Sequence, residues 1–208
     1  MKTVKLLATV ASCSVLLFSC TAHETAGKFN TDEIQTLPCL VVLPTKIPYE
    51  KKAVGLNTAE DLGEGARFLQ QELIRELRSS QVSRVIDPEQ LRYSVSELPG
   101  DNYASLQIIG KRSNCPYIIV STISRFKQRQ GGEFAVDEPA SATFDLKLMD
   151  SRSGDTLWMS TFAETQESLL SNLLSFSKAR SRGFKWITAE ELVARGVRDK
   201  LRRNPYFY

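Results

Sequence analysis

Short apolar runs along the chain predict the strands of a sheet. The runs Cys39–Pro44 and Tyr117–Ile123 are continuous and rich in Leu, Val and Ile. Runs of this length and composition are typical of strands that are covered on both faces. Val82–Ile86 is a further candidate strand, which Asp87-Pro88 is expected to end.

Two later segments predict a β-hairpin. Ala142–Leu148 alternates apolar and polar residues, and Thr156–Phe162 returns after a turn at Asp150–Asp155 that contains Gly154. A period of two is typical of a strand with one buried face. The segment Gln128–Pro139 is expected to form a loop that separates this hairpin from the preceding strand.

Helical spacing occupies the segments between the first strands. The first helix has apolar residues every three or four positions, and they are Leu62, Ala66, Leu69, Leu73 and Leu77. This pattern predicts an amphipathic helix with a cap at Asn57-Thr58 and an end near Ser79-Ser80. A short helix is also predicted at Asp101–Ile109, and Gly110 is expected to end it.

Two more helices are predicted in the C-terminal part of the chain. Leu169–Leu174 is apolar on one face and follows the hairpin. The final helix begins with a capping box, in which Thr188 and Glu191 have the required spacing, and it is expected to stop at Asn204-Pro205. Its apolar face comprises Leu192, Val193, Gly196, Val197 and Leu201.

The order of these elements predicts an α/β fold. Crossovers from strand through helix to strand are right-handed and place the strands parallel, which applies to the first three strands. The hairpin then adds an antiparallel edge. We therefore expect a mixed sheet of about five strands, with helices packed against it.

The N-terminal twenty residues follow a different pattern. Lys2 and Lys5 precede an apolar run of about 15 residues, which is typical of a secretory signal and too short for a spanning helix. The segment Leu17-Phe18-Ser19-Cys20 resembles the lipobox of bacterial lipoproteins. That resemblance implies cleavage before Cys20 and acylation of its thiol and amine. An ordinary secretory signal and an uncleaved anchor are the alternatives.

These patterns divide the chain into four parts. Residues 1–19 are the expected signal peptide, 20–37 the lipidated cysteine with a polar tether, 38–204 a single α/β domain and 205–208 a C-terminal tail. A flexible tether of this length spans about 20–25 Å. The anchor therefore predicts a domain that is held close to a membrane without entering it.

The charge of the chain argues against a nucleic-acid partner. The formal net charge of +3 includes Lys2 and Lys5, so the mature chain carries only about +1. Lys178–Arg203 nevertheless holds nine basic residues and three acidic ones. An ordinary solvated helix face is the favoured interpretation of this segment, and contact with anionic headgroups, an acidic polymer or the acidic face of a second copy is the hypothesis set against it.

Two cysteines remain in the predicted mature domain. Cys13 leaves with the signal, and Cys20 is the expected lipidation site, so Cys39 and Cys115 are left. Each lies at the start of a predicted strand, and parallel neighbouring strands would bring the two thiols together. A disulfide is then feasible in an oxidising compartment, and two buried thiols are the alternative.

Two sequence segments resemble a known family of periplasmic lipoproteins. They are Gly110-Lys111 leading to Tyr117–Val120, and Phe144–Asp150 followed by Ser153-Gly154 and Leu157-Trp158. The domain is similar to the family that includes the curli-secretion lipoprotein CsgG and the polysaccharide-export lipoprotein PelC, which is related to the N-terminal domain of TolB. This resemblance implies a non-enzymatic assembly or secretion accessory that forms rings or other homo-oligomers.

The residue after Cys20 bears on the membrane in which the anchor lies. Thr21, rather than Asp, matches lipoproteins sorted to the outer membrane in enteric bacteria, which implies the periplasmic face of that membrane. The alternative function is a monomeric regulator that contacts an envelope partner, a peptidoglycan synthase, as related lipoproteins do. The short tether argues against that alternative.

Catalytic chemistry has little support in the sequence. The one histidine, His23, lies in the tether, where it cannot be held beside a nucleophile. There is no His/Cys cluster at metal spacing and no phosphate-binding loop, so we expect no metal, no cofactor and no enzymatic activity. A hydrolase with a carboxylate pair drawn from Asp145, Asp150 and Glu164 is the remaining alternative.

A basic and aromatic segment is the candidate interaction surface. Its residues are Arg180, Arg182, Phe184, Lys185 and Trp186. Alternation of basic and aromatic side chains suits an interface, and packing in the core is the alternative for the aromatic rings. Trp158 and Phe162 are further candidates for this surface, although core packing is favoured for Trp158.

Overall fold

A five-stranded sheet forms the centre of the protein. The computed structural model describes residues 37–48, 56–91, 102–131, 136–166 and 187–208, which belong to one unit spanning Ile34–Tyr208. The strands are β1 Leu40–Val42, β2 Val85–Ile86, β3 Tyr117–Lys127, β4 Gln130–Gly131, β5 Val136–Glu138, β6 Ser141–Asp150 and β7 Thr156–Thr165. The α-helices are α1 Leu56–Arg78, α2 Tyr103–Ser113 and α3 Ala189–Arg202, and a short 3₁₀ helix covers Pro88–Leu91.

The sheet is mixed, as the order of elements predicts. Its strands follow the order β2-β1-β3-β6-β7. The first three are parallel, since Val41 lies opposite Ile86 on one side and Ile118 on the other. β6 pairs antiparallel with β3 and with β7. The predicted α/β fold with a mixed sheet of five strands is confirmed.

Helices cover the two faces of this sheet unequally. α1 and α3 pack side by side on one face, where Leu40 and Val42 of β1 enter the core. α2 covers the other face, which receives Val41 with Cys39 and Leu43. Successive strand residues point to opposite faces, so a continuous apolar run serves both cores. The face of β6 and β7 opposite α1 and α3 carries Asp145, Lys147 and the largely exposed Met159.

Two glycines let the helices approach the sheet closely. A Cβ atom built on Gly65 of α1 would lie 2.5 Å from the ring of Phe126. A Cβ atom on Gly196 of α3 would lie 2.8 Å from the ring of Phe162. These distances are shorter than real packing contacts, so the aromatic rings of β3 and β7 occupy the space that a side chain would need.

The boundaries of several elements differ from the prediction. β1 covers only Leu40–Val42 of the apolar run, because Pro44 cannot donate to the ladder. β3 continues to Lys127, four residues past the predicted end, since its pairing with β6 resumes at Arg125 after a register shift at Ser124. α1 already includes Asn57-Thr58, which were expected to cap it. The predicted helix at Leu169–Leu174 lies outside the described residues.

The prediction that Gly110 ends the second helix is wrong. α2 continues to Ser113, and Asn114 closes it in the left-handed conformation, with φ 48°. Gly110 lies buried inside the helix because the side chain of Ser151 occupies the place of its missing Cβ. Asn102 caps the start, where its side chain accepts a hydrogen bond from the Ser105 amide.

The segment Gln128–Pro139, predicted as a loop, contains a small second sheet. Gln130 of β4 lies opposite Glu138 of β5 in an antiparallel pair. Gly131 has a φ of 104°, which favours glycine, and this conformation lets the chain begin to turn. An ion pair of 2.5 Å between Lys127 and Glu138 joins the pair to the end of β3.

Two residues outside the predicted domain, Leu37 and Phe207, belong to its core. Phe207 is fully buried, so one side chain of the predicted tail at residues 205–208 belongs to the core, whereas Pro205 and Tyr208 are exposed. Leu37, assigned to the tether, is 2% exposed and belongs to the same core. The capping box of α3 is confirmed, with the Thr188 amide donating to Glu191 and the Glu191 amide to Thr188. Within the described residues, no helix is long and apolar enough to cross a membrane.

Candidate functional site

Most residues of the predicted sites lie outside the part of the chain that the structure describes. This holds for the lipidation site Cys20 and for the proposed interaction surface Arg180, Arg182, Phe184, Lys185 and Trp186. Both stay predictions. The described residues nevertheless place two cysteines, three carboxylates and several charged surfaces.

The two cysteines of the domain meet at the start of neighbouring parallel strands. The Cα atoms of Cys39 and Cys115 lie 5.8 Å apart, a usual separation for a disulfide, and the structure joins their sulfur atoms. The two residues are 5% and 1% exposed. That the mature protein carries this bond stays a prediction.

The three carboxylates considered for catalysis have separate partners. Asp145 accepts a hydrogen bond of 2.5 Å from the Thr161 hydroxyl. Glu164 lies 2.7 Å from the Arg195 guanidinium as an ion pair, although Nη2 of Arg195 lacks the alignment of a hydrogen bond. Each carboxylate is thus engaged by its own partner. Among the described residues there is no group of three or more metal-ligating side chains.

Asp150 is the carboxylate with a perturbed pKa. The guanidinium of Arg152 donates to both of its oxygens, at 3.0 Å from Nε to Oδ1 and 2.5 Å from Nη2 to Oδ2. This hydrogen bonding, with backbone amides of the same turn, holds the pKa of Asp150 below its ordinary value despite burial. Arg152 also lies 5.6 Å from the centre of the Tyr117 ring. The group fixes the β6–β7 turn and offers no acid or base near neutrality.

The hairpin aromatics pack in the core. Phe162 stacks on Phe144 with ring centres 5.0 Å apart. Trp158 meets Phe207 edge to face at 6.3 Å. Phe162 is only 8% exposed, and neither ring forms an open recognition patch.

One end of the sheet gathers the start of the described domain and the C-terminal ends of α1, α2 and α3, and we call it the tether end. The Ser83 amide, after α1, donates to the Leu37 carbonyl, and the Gln81 amide donates to the Phe207 carbonyl after α3. Arg84 donates to the Ser113 and Asn114 carbonyls that close α2. The chain therefore enters its first strand among the C-terminal ends of α1, α2 and α3.

Basic side chains crowd the tether end. They are Arg78, Arg84, Lys111, Arg112, Arg152, Lys200, Arg202 and Arg203. Arg78 pairs with Asp87 at 2.7 Å and Arg203 with Asp199 at 2.8 Å. Lys111, Arg112 and Arg202 are exposed, and none of them has an ion pair among the described residues.

Acidic residues gather at the opposite end of the sheet, the distal end, where Arg125 and Lys127 at the end of β3 also lie. The acidic residues are Glu60, Asp61 and Glu64 in the N-terminal third of α1, and Glu190 and Glu191 in the first turn of α3. α3 is fixed at this end by Gln128, whose side chain accepts from the Ala189 amide and donates to Glu190. An open cleft of about 610 Å³ lies between the start of α1, the end of β3 and β6. It is lined by acidic and basic residues, including Asp61, Arg125 and Glu138.

Comparison with known proteins gives one informative type of match. No protein-family model matches the chain, and no curated protein matches it. Among solved structures, the PelC dodecamer from Paraburkholderia phytofirmans matches 84% of this chain and 94% of its own, with a TM-score of 0.50 at 12% identity. This domain has the fold of PelC.

Two more solved structures match with lower scores. The C-terminal domain of LpoB from Salmonella enterica covers 64% of this chain and 86% of its own, with a TM-score of 0.36 and 14% identity. The lipoprotein GNA1162 from Neisseria meningitidis covers 70% and 97%, with a TM-score of 0.35 and 15% identity. The resemblance to PelC-like periplasmic lipoprotein domains, drawn from the sequence, is confirmed as a matter of fold.

Sequence reasoning missed the two charged ends of the sheet. Their residues are spread over three helices and several turns, so no single stretch of sequence displays them. The signals that were available were the acidic first turns and basic last turns of the predicted helices, together with right-handed crossovers.

Proposed function

We propose that this chain is a lipoprotein anchored through Cys20 in the outer membrane, with its domain on the periplasmic side. There it acts as a non-enzymatic accessory of assembly or secretion. It works by docking to copies of itself or to an envelope partner. No cofactor takes part.

The proposal is carried by a PelC-like fold that follows a lipobox-type signal in one chain. The solved PelC relative is a dodecamer, which supports self-association of this chain as well. The surface of the domain is suited to docking, since one end of the sheet is basic and the other acidic. The Met159 side chain is 65% exposed on the sheet face that no described helix covers.

The experiment determines the modification and the size of the mature protein together. The full chain is expressed in a diderm bacterium, extracted in detergent and examined by intact mass spectrometry and light scattering. We expect an N-terminal acylated Cys20, recovery with the outer membrane, and an oligomer. The matched control, Cys20→Ser, should lose the added mass and the membrane fraction and keep the folded domain.

Each result has a defined alternative. An unmodified product that diffuses freely would refute the anchor. An acylated monomer would refute the oligomeric accessory and favour the monomeric regulator of a peptidoglycan synthase. Turnover that is abolished by substituting Asp145, Asp150 or Glu164 would refute a non-enzymatic role.

A further inference from the structure

We propose that the tether end of the domain lies against the anionic headgroups of the bilayer that holds the anchor. This inference rests on the proposed anchor at Cys20 and adds an orientation to it. The basic residues of α2 and α3 face the membrane, and the acidic distal end with its cleft faces away. The partner is thus a lipid surface of negative charge.

The direction of the helices brings the C-terminal ends of α1, α2 and α3 to one edge of the sheet. α1 and α2 each connect two parallel strands, so both return toward the edge at which those strands begin. β7 runs parallel to β3, and α3 therefore returns to the same edge. The hydrogen bonds from Ser83 to Leu37 and from Gln81 to Phe207 show that these ends meet.

The charge at the tether end is positive, and part of it is exposed and unpaired among the described residues. A basic residue in the last turn complements the helix dipole, so some positive charge is expected at each helix end. α2 exceeds that need, because Lys111 and Arg112 stand against about half a unit of negative charge. Both are exposed, as is Arg202 on α3, and no acidic partner among the described residues neutralises them.

The distal end carries an excess of negative charge. Three carboxylates in the N-terminal third of α1 and two in the first turn of α3 lie there, and they outnumber Arg125 and Lys127 at the end of β3. A negative bilayer surface attracts the basic end and repels the acidic end. The two effects act in the same sense and orient the whole domain.

The predicted tether joins the domain at its basic end. Leu37 begins the described fold at the tether end, and a predicted tether of about 20–25 Å joins it to Cys20. Attraction by headgroups extends about 8 Å at physiological ionic strength. Because the tether is attached at the basic end, that end can come within this distance of the headgroups without a rotation of the domain.

The test uses the chain from residue 20 onward with Cys20→Ser, so that binding does not depend on acylation. The chain is mixed with vesicles of phosphatidylglycerol and phosphatidylethanolamine, and binding is measured by co-sedimentation in low and high salt. We expect binding that phosphatidylcholine vesicles do not support and that 0.5 M salt abolishes. Arg112→Gln with Arg202→Gln should weaken it by roughly tenfold or more, since each basic residue near such a surface contributes separately.

A matched variant controls for the loss of two charges. Arg125→Gln with Lys147→Gln removes the same charge from the distal cleft and the uncovered sheet face. It should leave vesicle binding within about twofold of the parent chain. Equal effects of the two double variants would overturn the proposal, as would binding that neither variant changes. Thermal melting of each variant confirms that the domain is folded.

A direct measurement of orientation completes the test. A fluorophore is attached at Ser83→Cys on the tether end or at Gln130→Cys on the distal side, with the native cysteines kept in their unreduced state. Brominated anionic vesicles should quench the first label and leave the second unchanged. The reverse pattern would overturn the proposal. A loss of self-association with full vesicle binding would assign the basic end to a second copy instead.

These outcomes are separate from those of the proposed function. The vesicle assay uses an unacylated chain, so its failure leaves the anchor at Cys20 untouched. Failure of acylation in cells would remove the anchor even if the vesicles bind.

Discussion

Replacing both Cys39 and Cys115 by alanine should lower the unfolding free energy of the domain by about 5 kcal/mol. The bond closes a loop with a sequence separation of 76 residues, for which chain entropy gives about 4 kcal/mol. The sulfur atoms lie in a well-packed core, and the small voids left by alanine add about 1 kcal/mol. This sum is a large part of the stability of an ordinary domain.

Urea unfolding of the Cys20→Ser chain and its double variant measures the effect. With a slope of about 2 kcal/mol per molar urea, the midpoint should fall by about 2.5 M. The slope should rise as well, because the unfolded chain expands once the loop is open. The unreplaced chain in reductant is the control and should approach the double variant.

Two results would refute this reasoning. A double variant whose midpoint stays within about 0.5 M of the parent would mean that the bond contributes little to stability. Two free thiols in the unreduced mature protein would show that the bond is absent from the exported chain. Either result would return these cysteines to the role of small buried side chains.

Three further predictions follow from single contacts. Gly196→Ala should lower the free energy of unfolding in urea by about 1 kcal/mol, because overpacking against the Phe162 ring exceeds the gain in helix propensity. Gly63→Ala should raise it by about 0.5–1 kcal/mol, because the added Cβ would lie 4.0 Å from the nearest side-chain atom, on Arg67. Phe207→Ala should destabilise by about 3–5 kcal/mol in the same assay, while a true tail residue would have almost no effect. Arg152→Gln should lower the free energy of unfolding at pH 7, because Arg152 stabilises the ionised form of Asp150 and so lowers its pKa. The difference from the parent should shrink as the pH falls below about 4, where Asp150 becomes protonated, and urea unfolding at pH 7 and pH 3 measures it.

The sheet was predictable because its signals are local. Continuous apolar runs identified β1 and β3, and alternation identified β6 and β7. Right-handed crossovers then determined which strands are parallel. The boundaries were less accurate, and β3 shows why. Its last residues pair with β6 and so remain strand, although Arg125 and Lys127 interrupt the apolar run.

Glycine and the chain terminus misled the prediction for a different reason. Gly110 has the residue type of a helix end, but in the fold it makes room for Ser151 of a turn some forty residues later. Phe207 follows a proline near the end of the chain, where local signals indicate a tail. Its burial depends on Trp158 and on the Gln81 amide, which are distant in sequence. Contacts of this kind leave no mark in a local pattern.

The charged surfaces show most clearly what the fold adds to the sequence. A count along Lys178–Arg203 suggests one basic segment, yet Arg195 pairs with Glu164 and Arg198 lies 3.5 Å from Glu76, so these two charges are engaged within the domain. Among the residues that the structure describes, basic side chains without an ion pair include Arg202 and, some ninety residues earlier, Lys111 and Arg112. Parallel topology brings α2 and α3 to the same end of the sheet. A variant that replaces Lys111 and Arg112 of α2 by Gln should therefore weaken vesicle binding. If the segment Lys178–Arg203 alone bound the headgroups, this variant would bind as the parent chain does.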